Sequence, residues 1–164
     1  SVATPQLYQR TTLLRKALTP EQAMDQWLEF AWKQGGGIPL PIPPILLDDT
    51  RWIVPPFLQE RLLSTQTIGL EAVEVQYKVE NPSLFTYQVY SHRGRVRFSK
   101  QDDNNTMQMK WEIEIRPYPD PWAAIVKAFT AAVVSCYARN FKCHVQEGDD
   151  AMVSLKPPRG GGGG

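Results

Sequence analysis

The chain of 164 residues carries 18 Lys and Arg against 17 Asp and Glu, a net charge of +1, and 42% of it is hydrophobic. That length suffices for one domain with a sizeable core, and the near-neutral balance excludes a generic nucleic-acid binder, which is ordinarily strongly basic. Its longest apolar runs are broken by proline or too short to cross a bilayer, and its 2 cysteines are too few for a disulfide scaffold.

No secretory signal is visible, and the opening "SVATPQ" lacks a methionine. That start fits an organellar protein stripped of its transit peptide and equally a partial chain or one cleaved from a tag, while the cysteine count suits a reducing compartment, the cytoplasm or an organelle lumen or stroma. Residues 1–5 read as a tail. "QLYQRTTLLRKA" from Gln6 mixes β-branched, aromatic and leucine residues and predicts a first strand. "LTPEQAMDQWLEFAWKQGGG" then predicts a helix. Thr19 is a good N-cap, Pro20 suits the first turn and Gln22 completes a capping box. Met24, Trp27, Leu28 and Ala31 recur at helical spacing, and the glycines from Gly35 stop the helix.

Residues 35–47, "GGGIPLPIPPILL", read as a proline-rich apolar loop. Prolines at 39, 41, 43 and 44 exclude helix interior and central strand. "TRWIV" and "FLQERLLSTQ" follow as strands parted by Pro55-Pro56. In "EAVEVQYKVENP", Val73, Val75, Tyr77 and Val79 alternate with polar residues, as do Met107, Met109, Trp111, Ile113 and Ile115 in "TMQMKWEIEIRP". Such alternation marks antiparallel strands with one face buried. Between them lies a long strand, "SLFTYQVYSHRGRVRFSK". The last element is "DPWAAIVKAFTAAVVSCYARNFKCHV", with Asp120 as cap and a stripe of Trp122, Ile125, Val126, Phe129, Val133, Cys136, Tyr137 and Phe141. A helix of that length runs ~37 Å and must lie along the sheet. Residues 148–164, ending in glycines, read as a flexible tail.

The order predicts an α+β fold: a curved antiparallel sheet around a long C-terminal helix, with a shorter helix after the first strand. That order, with "YQVYSHRGRVRF" (Tyr87 to Phe98) and "MKWEIEIRPYP" before the "DPW" helix, resembles the START-like (SRPBCC) superfamily with its helix-grip fold. The similarity is to its polyketide cyclase/dehydrase and lipid-transport branch and spans Gln6 to His144. It implies a single domain over residues 6–147 with a hydrophobic cavity between sheet and helix. One departure is the proline stretch, which stands where a second short helix is usual.

The candidate lining of such a cavity is Val75, Tyr77, Tyr87, Val89, Met107, Met109, Trp111, Ile113, Ile125, Phe129, Val133 and Tyr137; the bland alternative is plain core. Ile42, Ile45 and Leu46 are the candidate partner contact. No catalytic constellation is visible. His92 points inward on a regular strand and outward if Gly94 is a bulge, and a surface or capping role is the preferred reading. Cys136 and Cys143 lie ~10 Å apart along a helix, too far for a disulfide or a shared metal. Arg93, Arg95 and Arg97 form a basic stripe best read as a solvated outer face balanced by Glu112 and Glu114. The expected function is binding or carriage of a hydrophobic small molecule or lipid without bond chemistry. An accessory subunit docked on a larger complex through the proline loop is the alternative, and a cyclase/dehydrase-like enzyme the third reading. No cofactor, metal, nucleic acid or transmembrane segment is expected.

Overall fold

The computed structural model describes residues 4–40, 42–53, 58–69, 71–80, 87–103 and 105–147. Strand β1 (Gln6–Leu14) leads into α1 (Pro20–Trp27), continued by a π-helical segment (Leu28–Lys33). Strands β2 (Ile45–Leu47), β3 (Thr50–Ile53), β4 (Leu58–Ile68), β5 (Ala72–Val79), β6 (Val89–Lys100) and β7 (Met107–Pro117) follow, then α2 (Trp122–Gln146). These strands join one antiparallel sheet in the order β1-β7-β6-β5-β4-β3-β2. This is the predicted helix-grip arrangement.

The alternation in β5 and β7 works as its pattern dictates. Val73, Val75, Tyr77, Met107, Met109, Trp111, Ile113 and Ile115 are buried in one cluster with Val126, Val134, Tyr137, Phe141 and Val145 of α2. Two register shifts bend the sheet, one between Leu62 and Ser64 and one between Val89 and Ser91. The second inserts Tyr90 as an extra residue. Val89 therefore shares the inner face with His92, Gly94, Val96 and Phe98. Since β6 has no irregularity at Gly94, His92 points inward, against the preferred expectation of a surface or capping role. Gly94 instead makes room: a Cβ there would lie 2.0 Å from the Tyr77 ring, which rests on the bare strand.

The capping box at Thr19 forms as expected, with Thr19 Oγ1 accepting from Gln22 N and Gln22 Oε1 accepting from Thr19 N. The helix it starts does not stay α-helical to Gly35. Arg51 Nη1 donates to the carbonyls of Ala31 and Trp32, both at 2.7 Å, and this buried cap accompanies the widened final turn. The glycines then reverse the chain with positive φ at Gly35, Gly36 and Gly37. Gly36 lies against the Tyr137 ring, and its carbonyl accepts from Asn140 Nδ2 at 2.9 Å, so α2 holds the turn directly.

Two further expectations need correction. The end of the 35–47 loop is a strand: Ile45, Leu46 and Leu47 pair with Trp52, Arg51 and Thr50. Pro43 and Pro44 lie just before it, where missing amides do not matter. Asp120 does not cap α2, because the helix begins at Trp122 with Pro121 in the cap position and no side-chain cap bond. Residues 83–86 of the expected long strand lie outside the described residues.

Candidate functional site

The inner face of the sheet carries two polar groups of different character. The first lies under the π-helical segment. Arg51 on β3 and Glu60 on β4 are register partners, and their side chains meet at 2.8 and 2.9 Å. Both are buried. The guanidinium also stacks over the Trp32 ring at 4.3 Å, so every face of it has a partner. Desolvation is the largest influence and pulls the Arg51 pKa down, but the Glu60 charge and hydrogen bond, with Tyr137 and Tyr77, together outweigh it and the net shift is upward. Beside the pair, Trp111 Nε1 donates to the Tyr77 hydroxyl at 3.0 Å. Burial pushes the Tyr77 and Tyr137 phenols up, so both stay neutral donors at ordinary pH.

The second group sits toward the end of the sheet from which β3, β5 and β7 exit. Here His92 stands one step from the Tyr77–Gly94 pair. Its Nδ1 is hydrogen-bonded to the Tyr87 hydroxyl. The His92 ring contacts Tyr77 at 5.9 Å and Tyr87 at 5.7 Å between centroids. Burial lowers the His92 pKa to about 4, and the Glu60 charge opposes that only in part. The ring is therefore neutral at pH 7. When the phenol donates to Nδ1, the neutral ring carries its proton on Nε2. That Nε2 is shut off from solvent and has no hydrogen-bond partner among the described residues. Burial likewise raises the Tyr87 phenol above its ordinary value.

The twelve predicted lining residues divide between these surroundings. Val75, Tyr77, Val89, Met107, Met109, Trp111, Ile113 and Tyr137 are packed core. Trp111 makes edge contacts with Trp27 at 5.7 Å and Tyr137 at 5.9 Å. Tyr87 and Val133 are partly buried against that core. Ile125 and Phe129 face outward, 42% and 54% exposed, and Phe129 lies 5.9 Å from the Tyr87 ring. Val126, Cys136, Tyr137 and Phe141 of the predicted α2 stripe are buried, but between them the buried face runs through Thr130 and Val134 in place of Phe129 and Val133. Exposed Phe129 thus stands against the ring of Tyr87, whose hydroxyl bonds His92.

Sequence reasoning missed Arg51, Glu60 and Thr130 as interior groups. The alternation of β3 and β4 is too short and irregular to show which face they take. The basic stripe is where it was expected: Arg95 pairs with Glu112 on the outer face, and Arg97 with Glu74 at 2.9 Å. Cys136 and Cys143 form no disulfide, and His144 stacks on Phe30 at 4.3 Å. Among the described residues no cluster of His, Cys, Asp and Glu could hold a metal, and no helix is long and apolar enough to cross a membrane. Of the candidate partner residues, Ile42, Ile45 and Leu46 are all exposed.

No protein-family model matches the sequence, and no curated protein matches it. Solved structures do. The protein XoxI from Bacillus cereus superimposes with a TM-score of 0.61 at 13% identity, over 85% of this chain and 94% of that one. Truncated norcoclaurine synthase from Thalictrum flavum gives 0.60 at 11% identity, over 90% and 97%. Ara h 8.0201 gives 0.60 at 7% identity, over 87% and 98%. The likeness shows the fold, a helix-grip fold, and no more; function has to be argued from the site.

Proposed function

We propose that residues 6–147 form one START-like domain that binds a hydrophobic small molecule or lipid at the end of the sheet where Tyr87 and His92 meet the first turns of α2. The observation that carries this reading is the pairing of an exposed aromatic with a buried, unpartnered nitrogen. Phe129 is half in solvent against Tyr87, whereas Nε2 of His92, the ring bonded to that same tyrosine, lacks a partner among the described residues. Exposed apolar surface one side chain away from an unsatisfied polar atom is what a ligand with an apolar body and one polar end would cover. The neutral Nε2–H asks for an acceptor, so the polar end of the ligand is a carbonyl or similar oxygen. Entry displaces Phe129 from the Tyr87 ring. A protein of the same fold, norcoclaurine synthase from Thalictrum flavum, has been seen with dopamine and hydroxybenzaldehyde, which supports a small aromatic carbonyl as one ligand class.

The test is native mass spectrometry of the purified protein, followed by solvent extraction of what it carries. A bound apolar molecule lost in Phe129→Ala and His92→Phe but kept in Lys110→Ala, on the outer face, is the expected result. A ligand-free protein that also takes up no added aromatic ketone overturns the reading.

The Tyr87–His92 pair also favours a second reading, an enzyme of the cyclase/dehydrase type. An unprotonated imidazole oriented by a phenol could relay a proton at a bound carbonyl compound. This version predicts that His92→Gln keeps ligand binding and abolishes turnover of a polyketone substrate. Equal turnover in that variant removes it.

A further inference from the structure

We infer that the free edge of β2, with the groove beside it, takes an extended basic strand of a partner protein by strand addition. Among the described residues β2 ends the sheet, and a terminal strand offers N–H and C=O groups on its free side. Its side chains are unpacked as well. Ile45 is 50% exposed, Leu46 43% and Leu47 67%, next to Ile42 at 45%. Consecutive aliphatics in solvent at a sheet edge mark a contact surface and not a core. Beside them is a groove of about 340 Å³ between β2, β4 and the first helix, floored by Trp32, Leu46 and Leu62.

The charge of that groove identifies the occupant. Its rim carries Asp25, Glu29 and Asp48, and Lys33 on the same rim sits 3.3 Å from Glu29. Register then assigns the faces. Leu46 lies opposite Arg51 and faces the groove, while Ile45 and Leu47 lie opposite Trp52 and Thr50 and face outward. A strand laid on β2 places alternate side chains the same way. Its inward positions meet an apolar floor and an acidic rim, which suits Lys or Arg with the stem along Trp32 and the charge at the carboxylates. Its outward positions cover Ile45 and Leu47 and are apolar. A second copy of this chain is a poor occupant, because pairing two β2 strands would bring two acidic rims together. The shortness of β2 and the prolines before it limit the added strand to about three to five residues and keep the edge from pairing with any long strand.

The experiment uses the full chain and a fluorescein-labelled peptide of alternating valine and lysine, read by fluorescence anisotropy at low salt. Saturable binding is expected, with no binding of the peptide in which glutamate replaces lysine. Leu46→Pro removes the edge amide and is expected to weaken binding about five- to tenfold. Asp25→Asn and Asp48→Asn are each expected to weaken it about two- to fivefold and to reduce its salt dependence. Asn tolerates the positive φ of 53° at position 48, so these variants keep the test usable if Leu46→Pro does not fold. The proposal is overturned if both peptides bind alike, or if the folded Asp25→Asn, Asp48→Asn double variant binds as the parent does. It is equally overturned if sedimentation shows a dimer abolished by Leu46→Pro, or if phosphatidylserine vesicles, not the peptide, occupy the edge.

Discussion

The two polar groups inside this sheet, an Arg51–Glu60 ion pair and a Tyr87–His92 hydrogen bond, differ in how completely they are satisfied. Around Arg51 and Glu60 the interior is closed: the cation has a carboxylate, two carbonyls and an aromatic face within reach. Around Tyr87 and His92 it is unfinished: the imidazole has one partner on Nδ1 and none among the described residues on Nε2, with an exposed phenylalanine against the tyrosine. A buried charge whose contacts are complete is architecture, since removing it would only leave other groups stranded. A buried polar atom left over, under apolar surface that the fold does not need to expose, is available for something that is not the protein. Burial alone does not distinguish the two; accounting for every donor and acceptor does.

The largest effect follows from breaking the closed group. Arg51→Ala strands the Glu60 carboxylate and the Ala31 and Trp32 carbonyls together, and is expected to cost about 3–5 kcal/mol. Urea unfolding measures it. A loss below about 1 kcal/mol would mean the pair is not structural and that the contrast between the two groups fails.

Much of this fold was legible in the sequence, and the reason lies in repetition. Val73, Val75, Tyr77 and the Met107-to-Ile115 series repeat a two-residue period often enough that their face is unmistakable. The Thr19–Gln22 box is local chemistry and needs no tertiary information. Arg51 and Glu60 were not legible, because β3 is four residues long and β4 is interrupted at Leu62, so neither sustains a period. The face of His92 turned on where one extra residue sits. The sequence suggests Gly94, whereas the insertion is Tyr90, and glycine is needed at 94 for the Tyr77 ring. The α2 stripe holds at Val126, Cys136, Tyr137 and Phe141 and is one position off only around Phe129, because buried Thr130 is a polar residue on an otherwise apolar face and composition hides it. Most of the candidate lining consists of packing residues, and the unfinished contact at its edge is a property of side-chain partners that no spacing rule reports.

The second effect is a pH dependence confined to the unfinished group. An unfolded histidine titrates near 6.5, while burial holds folded His92 at about 4. Between those values the unfolded chain binds more protons, so stability falls as pH drops from about 6.5 to 4, by up to about 3 kcal/mol, and is fully present above that window. His92→Phe is expected to flatten that part of the curve. Urea midpoints across pH 4 to 7 for both proteins decide it, and identical slopes would place the imidazole in solvent. A ligand oxygen accepting from Nε2 favours the imidazolium, raises that pKa and should flatten the parent curve only.

A smaller effect tests the hinge between the groups, the Tyr77 ring lying on Gly94. Gly94→Ala places a methyl about 2 Å from that ring. The ring must move, which loosens both its bond from Trp111 and its contact with His92. The expected cost is about 1–3 kcal/mol. A thermal shift of the variant measures it, and the His92 proton resonances report whether the disturbance crosses to the second group. If they stay put while stability falls, the groups are independent and the contrast between them is sharpened.

The smallest effect on stability is the most informative about function. Phe129 is 54% exposed, so Phe129→Ser removes little buried surface and is expected to change stability by less than about 0.5 kcal/mol. Its contact with Tyr87, by contrast, is what an apolar ligand would replace or extend. Loss of that aromatic platform is expected to weaken uptake of an added aromatic ketone about three- to tenfold, read by quenching of tryptophan fluorescence. Thr130, one residue on and buried, gives the opposite pattern when made alanine if it only fills space: stability moves and uptake does not. A Phe129→Ser protein that loses stability but keeps uptake would assign the exposed ring to packing and leave the His92 nitrogen without the apolar cover on which the binding site depends.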